Sequence, residues 1–310
     1  MGINMKIKEY ENLIKILESE RSKLDDDNSS YYDELTNQIE ELKEKCYKNL
    51  DAWDRVYMAR HKDRPKAQEY INSLFSGFIE LHGDRYFMDD ASLISGIGLF
   101  HDIPVTIIAQ TKGKSTQDNI KRNFGMNNPE GFRKALRVAK QAEKFKRPII
   151  TIVDTPGAFP GIGAEERGQA QAIATCLSEF SNLNTIVICI VISEGGSGGA
   201  LALSIGDRII MLENAVYSIL SPEGFASILW KDEKLADKAA NVMKLTAKDQ
   251  FDRGIVDKII KEPESGAQTC FEYIIKQLDQ YLVNELNILS NKSMKLLLQE
   301  RYDKYRKVGI

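Results

Sequence analysis

The sequence predicts an α/β fold with parallel strands. Three observations carry this. Several apolar runs are short enough to be buried strands, glycine-rich turns follow them directly, and a helical pattern follows each turn. Cores of this kind bind ligands at the carboxyl ends of their strands. The glycine turns at 113, 157–163 and 195–199 all fall at such ends.

The elements follow in order. Residues 1–60 are highly charged and lack glycine after Gly2. Leu35, Ile39, Leu42 and Cys46 recur at helical spacing, and LDDDNSS (24–30) interrupts the pattern. A helical arm is expected over 1–65, packed on the body, with a dimerising arm as the lesser alternative. Pro65 then forces an extended approach. A helix is expected over 67–82, with Tyr70, Leu74, Phe75 and Phe78 on its apolar face. HGDRYFMDD is a loop. ASLISGIGLF and IPVTIIAQ read as two strands joined tightly through His101 and Asp102. GFRKALRVAKQAEKFK is a helix and PIITIVDT a buried strand closed by PGAFPGIG. AEERGQAQAIATCLSEF is one helix, with Glu165 and Glu166 in its first turn where the macrodipole favours carboxylates. The run IVICIVIS leads into EGGSGGALAL, RIIMLENAVYSIL supplies further strands, and SPEGFASILW opens a helix at Pro222. The expected organisation is an arm (1–65), a core (66–265) and amphipathic C-terminal helices (266–310).

Bulk properties narrow the function. At 310 residues the chain is long enough for a sizeable core, and its net charge of −3 gives no electrostatic case for a nucleic-acid partner. No apolar run reaches the roughly 18 residues that span a bilayer. The start, MGINMKIKEY, lacks the apolar stretch of a signal peptide. Cytoplasmic residence away from membranes is expected. Cys46, Cys176, Cys189 and Cys270 are far apart and form no C-x-x-C pair, so no metal site is expected. Cys189, inside an apolar strand, reads as a core residue. GKS (113–115) invites a P-loop reading, but Ile108 stands where the motif needs glycine.

The stretch EGGSGGA poses a choice. Gly195, Ser197 and Gly199 satisfy G-x-S-x-G, the turn that presents a serine nucleophile. Such a serine needs a base held by a third group. His61, His82 and His101 all precede Ser197, the reverse of the order that motif uses, and a lysine base is not specific in so lysine-rich a chain. The glycines make the better case. DTPGAFPGIG and EGGSGGA lie on successive strands, and each frees N–H groups at a helix start. Donors from two neighbouring turns can converge on one oxygen as an oxyanion hole. A side chain on Gly198 or Gly199 would obstruct a substrate pressed against the backbone.

KGKSTQDNIKRNFGMNNPEGFRKALR, RPIITIVDTPGAFPGIGAEERGQAQAIA, EGGSGGALAL and YSILSPEGFASILW together resemble the alpha subunit of bacterial acetyl-coenzyme A carboxylase carboxyltransferase. The resemblance runs from about 55 to 265, and LTAKDQFDRGIVDKII is similar to the closing helix of the wider crotonase superfamily. The resemblance implies a crotonase-type spiral of ββα units. It implies carboxyl transfer from carboxybiotin, borne on a biotin carboxyl carrier protein, to acetyl-CoA, giving malonyl-CoA for fatty acid synthesis. It implies an α2β2 assembly in which a beta subunit carries a zinc ribbon and most of the acetyl-CoA site. ATP is used by a separate biotin carboxylase. By the same resemblance Gly198 and Gly199 hold the ureido oxygen, with Gly157 or Ala158 from the second turn. Gly195, Gly196, Gly161 and Gly163 shape the cofactor site. Lys112, Lys114, Lys121 and Arg122 form a basic loop that is either a solvated face or an attractor of CoA phosphates or the carrier. NVMKLT (241–246) echoes the sequence around a biotinylated lysine, but its helical composition makes Lys244 a helix-surface residue. No tethered biotin is expected. A serine hydrolase, a non-catalytic scaffold, or a hydratase using Glu165, Glu166 or Glu223 are the competing readings.

Overall fold

The computed structural model describes residues 7–24 and 29–309. Most of the interruption expected at 24–30 lies outside the described residues. Helices α1 (Ile7–Arg21) and α2 (Ser29–Tyr47) pack on each other, with Leu35, Ile39 and Cys46 buried and Leu42 half-buried. Helix α3 (Ala52–Ala59) starts at a capping box between Asp51 and Asp54. Ile7, Cys46 and Met58 form a small cluster that docks the arm on α3. Beside it the buried Glu11 carboxylate accepts from Tyr57 and Tyr47 at 2.7 and 3.1 Å and lies 3.6 Å from His61. The arm is therefore packed on the body.

Helix α4 (Ala67–Leu74) is shorter than the helix expected over 67–82. Residues beyond it form an edge strand, β1 (Ser76–Glu80), antiparallel to β2 (Leu93–Phe100). Two glycines explain the change. Gly77 takes φ +59°, outside the helical range, and a Cβ on Gly96 would lie 2.3 Å from the Ile79 carbonyl. Glycine at 96 lets β1 and the Phe78 ring lie flat on β2. Strands β2 and β3 (Ile103–Gln110) form the expected hairpin, paired from Leu93↔Gln110 to Phe100↔Ile103. His101 and Asp102 both take positive φ, as a two-residue turn requires.

Next come α5 (Thr116–Lys121), α6 (Pro129–Lys144) and the wholly buried β4 (Ile149–Thr155). The single helix expected over 164–180 is two, α7 (Ile162–Glu166) and α8 (Gln169–Ser181), broken where Gly168 adopts φ +82°. Strand β5 (Val187–Gly196) runs into the short α9 (Ser197–Leu201). The chain continues through β6 (Arg208–Leu212), β7 (Val216–Ser218), α10 (Pro222–Trp230), α11 (Ala236–Met243), α12 (Ala247–Asp252) and β8 (Lys258–Ile260). Two long helices, α13 (Phe271–Ser290) and α14 (Met294–Arg306), close it.

Among the described residues eight strands form one sheet, ordered β1-β2-β3-β4-β5-β6-β8, with β7 also on β5. The pairs from β3 onward are parallel. Adjacent residues of a strand serve opposite faces. Ile107 joins the core under α4, α13 and α14, whereas Ile108 joins the core under α6 and α8. The C-terminal helices thus share a core with the sheet. Strand β5 changes partner along its length: residues 188–191 pair with β6, and Glu194, Gly195 and Gly196 pair with β7. That change, with a register shift against β4 near 153–155, carries the end of β5 out to the glycine turn.

Buried charges tie distant segments together. Arg64, 1% exposed, donates to the Ile192 carbonyl at 2.9 Å and to both Glu262 oxygens at 2.9 and 2.6 Å. Arg301 binds both Asp207 oxygens and the carbonyls of Phe180, Leu183 and Thr185.

Candidate active site

The two glycine turns touch, backbone to backbone. A Cβ on Gly196 would lie 2.1 Å from the Pro156 carbonyl oxygen, and one on Gly199 would lie 2.6 Å from the Ala158 nitrogen. Only glycine permits that approach, so the 156–158 turn and the start of α9 form one surface. Gly195 is confined differently, since a Cβ there would strike the Tyr217 ring at 2.3 Å. Gly198 is the exception. Its nearest neighbour is the Ile173 methyl at an ordinary 3.5 Å, and it faces a cavity of about 430 Å³. Ser197, Leu201, Tyr217, Ile219 and Phe225 help to line that cavity, and Ile219 is 76% exposed.

The amides divide into free and engaged. Gly198 and Gly199 occupy the first turn of α9, where a helix offers its N–H groups no internal acceptor. Neither donates elsewhere in the described chain. The Gly157 N–H is taken by the Thr155 hydroxyl at 3.1 Å. Of the two residues expected from the second turn, Ala158 is thus the one whose nitrogen lies against Gly199.

Ser197 is exposed, takes φ +53°, and its hydroxyl has no hydrogen-bond partner among the described residues. The three histidines are occupied elsewhere. His61 faces Glu11, His82 Nδ1 contacts Asp89 at 2.8 Å, and His101 Nε2 contacts Asp279 at 2.6 Å. Among the described residues the G-x-S-x-G turn is present with none of the three histidines at Ser197.

Behind the turns lies an ion-pair network that the sequence reading missed. Glu194, the residue before Gly195, accepts from Lys112 and from Arg60 Nε at 2.6 Å. Lys112 is also 3.2 Å from Asp154, at the end of β4, and Arg60 reaches Glu223 on α10 at 2.5 Å. One ammonium therefore bridges the carboxyl ends of β4 and β5. Burial opposes ionisation of Glu194, but Lys112 and Arg60 overcome it and hold its carboxyl at about 2. The available signal was a glutamate inside an otherwise apolar strand, since a buried carboxylate demands a partner.

The other expected residues sit apart from this centre or support it from outside. Lys114 is exposed and pairs with Glu69 at 2.8 Å. Arg122 is held by Asp118 and the Ala91 carbonyl. Gly161 caps α7 under the Phe159 ring, and Gly163 lies beside Arg167. Lys244 is not on a helix face but just past the end of α11, in the left-handed region at φ +55°. Among the described residues no group of three or more His, Cys, Asp or Glu is placed to hold a metal, and no helix is long and apolar enough to cross a membrane.

A family described as acetyl co-enzyme A carboxylase carboxyltransferase-like matches residues 1–309. The chain belongs to this family. Among relatives named acetyl-coenzyme A carboxylase carboxyl transferase subunit alpha, that of Clostridium botulinum (strain Eklund 17B / Type B) is 59% identical over 257 residues, covering 83% of this chain and 94% of the relative. That of Listeria monocytogenes (serotype 4b, strain F2365) is 49% identical over 309 residues, covering 97% of each. Solved structures share the fold at low identity. The transcarboxylase 12S chain superposes with a TM-score of 0.57 at 18% identity, over 76% of this chain and 46% of that one. The beta subunit of Pseudomonas aeruginosa geranyl-CoA carboxylase gives 0.58 at 13%, over 82% and 45%. Those two structures thus share the α/β fold found here, although the chain spans about half their length.

Proposed function

We propose that this chain is the biotin-side half of an acetyl-CoA carboxylase carboxyltransferase, completed by a beta subunit. Family membership and the relatives' shared name support the activity. The observation that carries the mechanism is the pair of glycine turns in backbone contact, with free amides beside an apolar cavity. Carboxybiotin, delivered by a carrier protein, supplies the carboxyl group that acetyl-CoA receives to become malonyl-CoA. The cavity suits that group, because Gly198 leaves room for it and Tyr217, Ile219 and Phe225 offer apolar surface to a bicyclic ring.

This chain's part in the reaction is electrostatic. The N–H groups of Gly198 and Gly199 donate to the oxygen on which negative charge grows, and Ala158 lines the same surface. Such donors are fixed before reaction and cost no reorganisation. Lys112 and Arg60, locked on Glu194, hold the turn in place. Ser197 exchanges no proton, and its role is to carry the turn through a positive φ.

The test is carboxyl transfer in the assembled complex, run in reverse from malonyl-CoA to free biotin. Ser197→Ala is expected to retain most activity, because loss of a true nucleophile would cost about 10⁶ in rate. Gly198→Val is expected to cost at least the roughly 10²–10³ typical of a lost oxyanion donor, with the fold intact. An inactive Ser197→Ala beside an active Gly198→Val would refute the proposal.

A further inference from the structure

A second concave surface shares no lining residue with the cavity at Gly198. It is a groove of about 710 Å³ between α6, α8 and the 82–90 loop. Four arginines reach it, and two are neutralised. Arg133 pairs with Asp84 at 2.8 Å and Arg167 with Glu130 at 2.9 Å. The other two are not. Arg85 donates to the His82 carbonyl at 2.9 Å, and Arg137 to the carbonyls of Gly83 and His82 at 3.1 and 3.2 Å. Neither makes a carboxylate ion pair among the described residues. Both donate to the His82 carbonyl, so the two guanidiniums lie side by side, and burial and Arg85 lower the basicity of Arg137 against Asp89 and Asp84, which raise it. Asp84, the one carboxylate in the lining, is already held by Arg133 and by the N–H groups of Tyr86 and Phe87.

The groove also carries a flat apolar element. Tyr86 is 85% exposed, with the Arg133 guanidinium 5.9 Å from its ring centre, and Leu136 lies alongside. The 13-residue α8 follows Gly168 and lines the same wall along its first two turns, through Gln171, Ala172 and Thr175. Paired guanidiniums match phosphate oxygens in geometry and charge, and an exposed ring beside them provides a stacking surface.

We propose that this groove binds an organic phosphate bearing a flat ring, with Arg85 and Arg137 on the phosphate and Tyr86 on the ring. Assigning the groove to a substrate tail rests on the carboxyl-transfer reading, whereas binding of a ring-bearing phosphate as such does not. Two sources share this chemistry: the nucleotide tail of an acyl-CoA, or a free adenine nucleotide acting as an effector. Calorimetric titration of the full chain, alone and in complex with its beta subunit, separates them, using CoA, ADP and inorganic pyrophosphate as probes. A ring-bearing probe is expected to bind saturably and more tightly than pyrophosphate. Tighter CoA binding assigns the substrate tail, and tighter ADP binding assigns the effector. The Arg85→Ala/Arg137→Ala double variant is expected to weaken every probe by at least about tenfold. Tyr86→Ala is expected to weaken only the ring-bearing probes, which a structural role would not do. Undiminished binding in the arginine double variant, or no saturable binding at millimolar probe, would overturn the proposal. So would binding that vanishes in the complex, because the groove would then be a protein interface.

Discussion

Gly198 and Gly199 lack a side chain for different reasons, although they are neighbours. At Gly199 the space is filled by the fold, with the Ala158 nitrogen 2.6 Å from where a Cβ would sit. At Gly198 the space is open. The sequence reading expected valine at either position to block only the site. The structure restricts that to Gly198. Gly199→Ala is expected to lower stability by about 1–3 kcal/mol, as overpacking does, while Gly198→Ala changes it little. Urea denaturation of both variants measures the difference. The thiols divide in the same way. Burial pushes Cys176 and Cys189 up to about 12, and Cys46 is raised as far by burial and by Glu11. Cys270 is exposed. A thiol reagent at pH 8 is expected to label Cys270 alone in the native protein and all four cysteines after denaturation. Histidine order set His61, His82 and His101 apart from Ser197, and each faces a carboxylate elsewhere. Lys112 was not legible, because a lysine in a polar loop gives no sign that its ammonium will be drawn behind two strands.

At the level of elements, the end of β5 is the part on which the site depends. It exchanges β6 for β7, carries two glycines, and is held from behind by Lys112 and Arg60 through its own Glu194. Lys112→Met leaves Glu194 and Asp154 short of a cation. It is expected to cost about 3–5 kcal/mol of stability, the usual penalty for breaking a buried pair, read from the urea midpoint. Most elements were legible, because apolar runs and glycine turns report strands and their ends locally. The errors have a common cause. The segment after α4 has helical spacing, yet it pairs with β2 because Gly96, distant in sequence, leaves a flat place for it. Gly168 splits a helix whose composition is otherwise continuous. In both cases tertiary fit outweighed local propensity.

For the whole molecule, buried carboxylates set the response to acid. Glu194 ionises at about 2 rather than near 4.5. A depressed folded value contributes stability that is fully present above the unfolded value and lost as pH falls toward the folded one. Glu262 and Glu11 shift in the same direction, through Arg64 and His61 working against burial. Asp90 opposes them, since burial raises it. The net expectation is a thermal midpoint that falls as pH drops from about 4.5 toward 2, measured by calorimetry. What the sequence left hidden at this scale was the closure of the chain. Arg64 reaches Glu262, and Arg301 reaches Asp207 together with three carbonyls near the ends of neighbouring segments. Because α14 supplies that last clamp, a nascent polypeptide leaving the ribosome carries an incomplete core until α14 has emerged. Its earlier strands stay unsealed until then, so the window for chaperone capture, or for meeting a newly made partner, lasts through the synthesis of every element from β1 to α13.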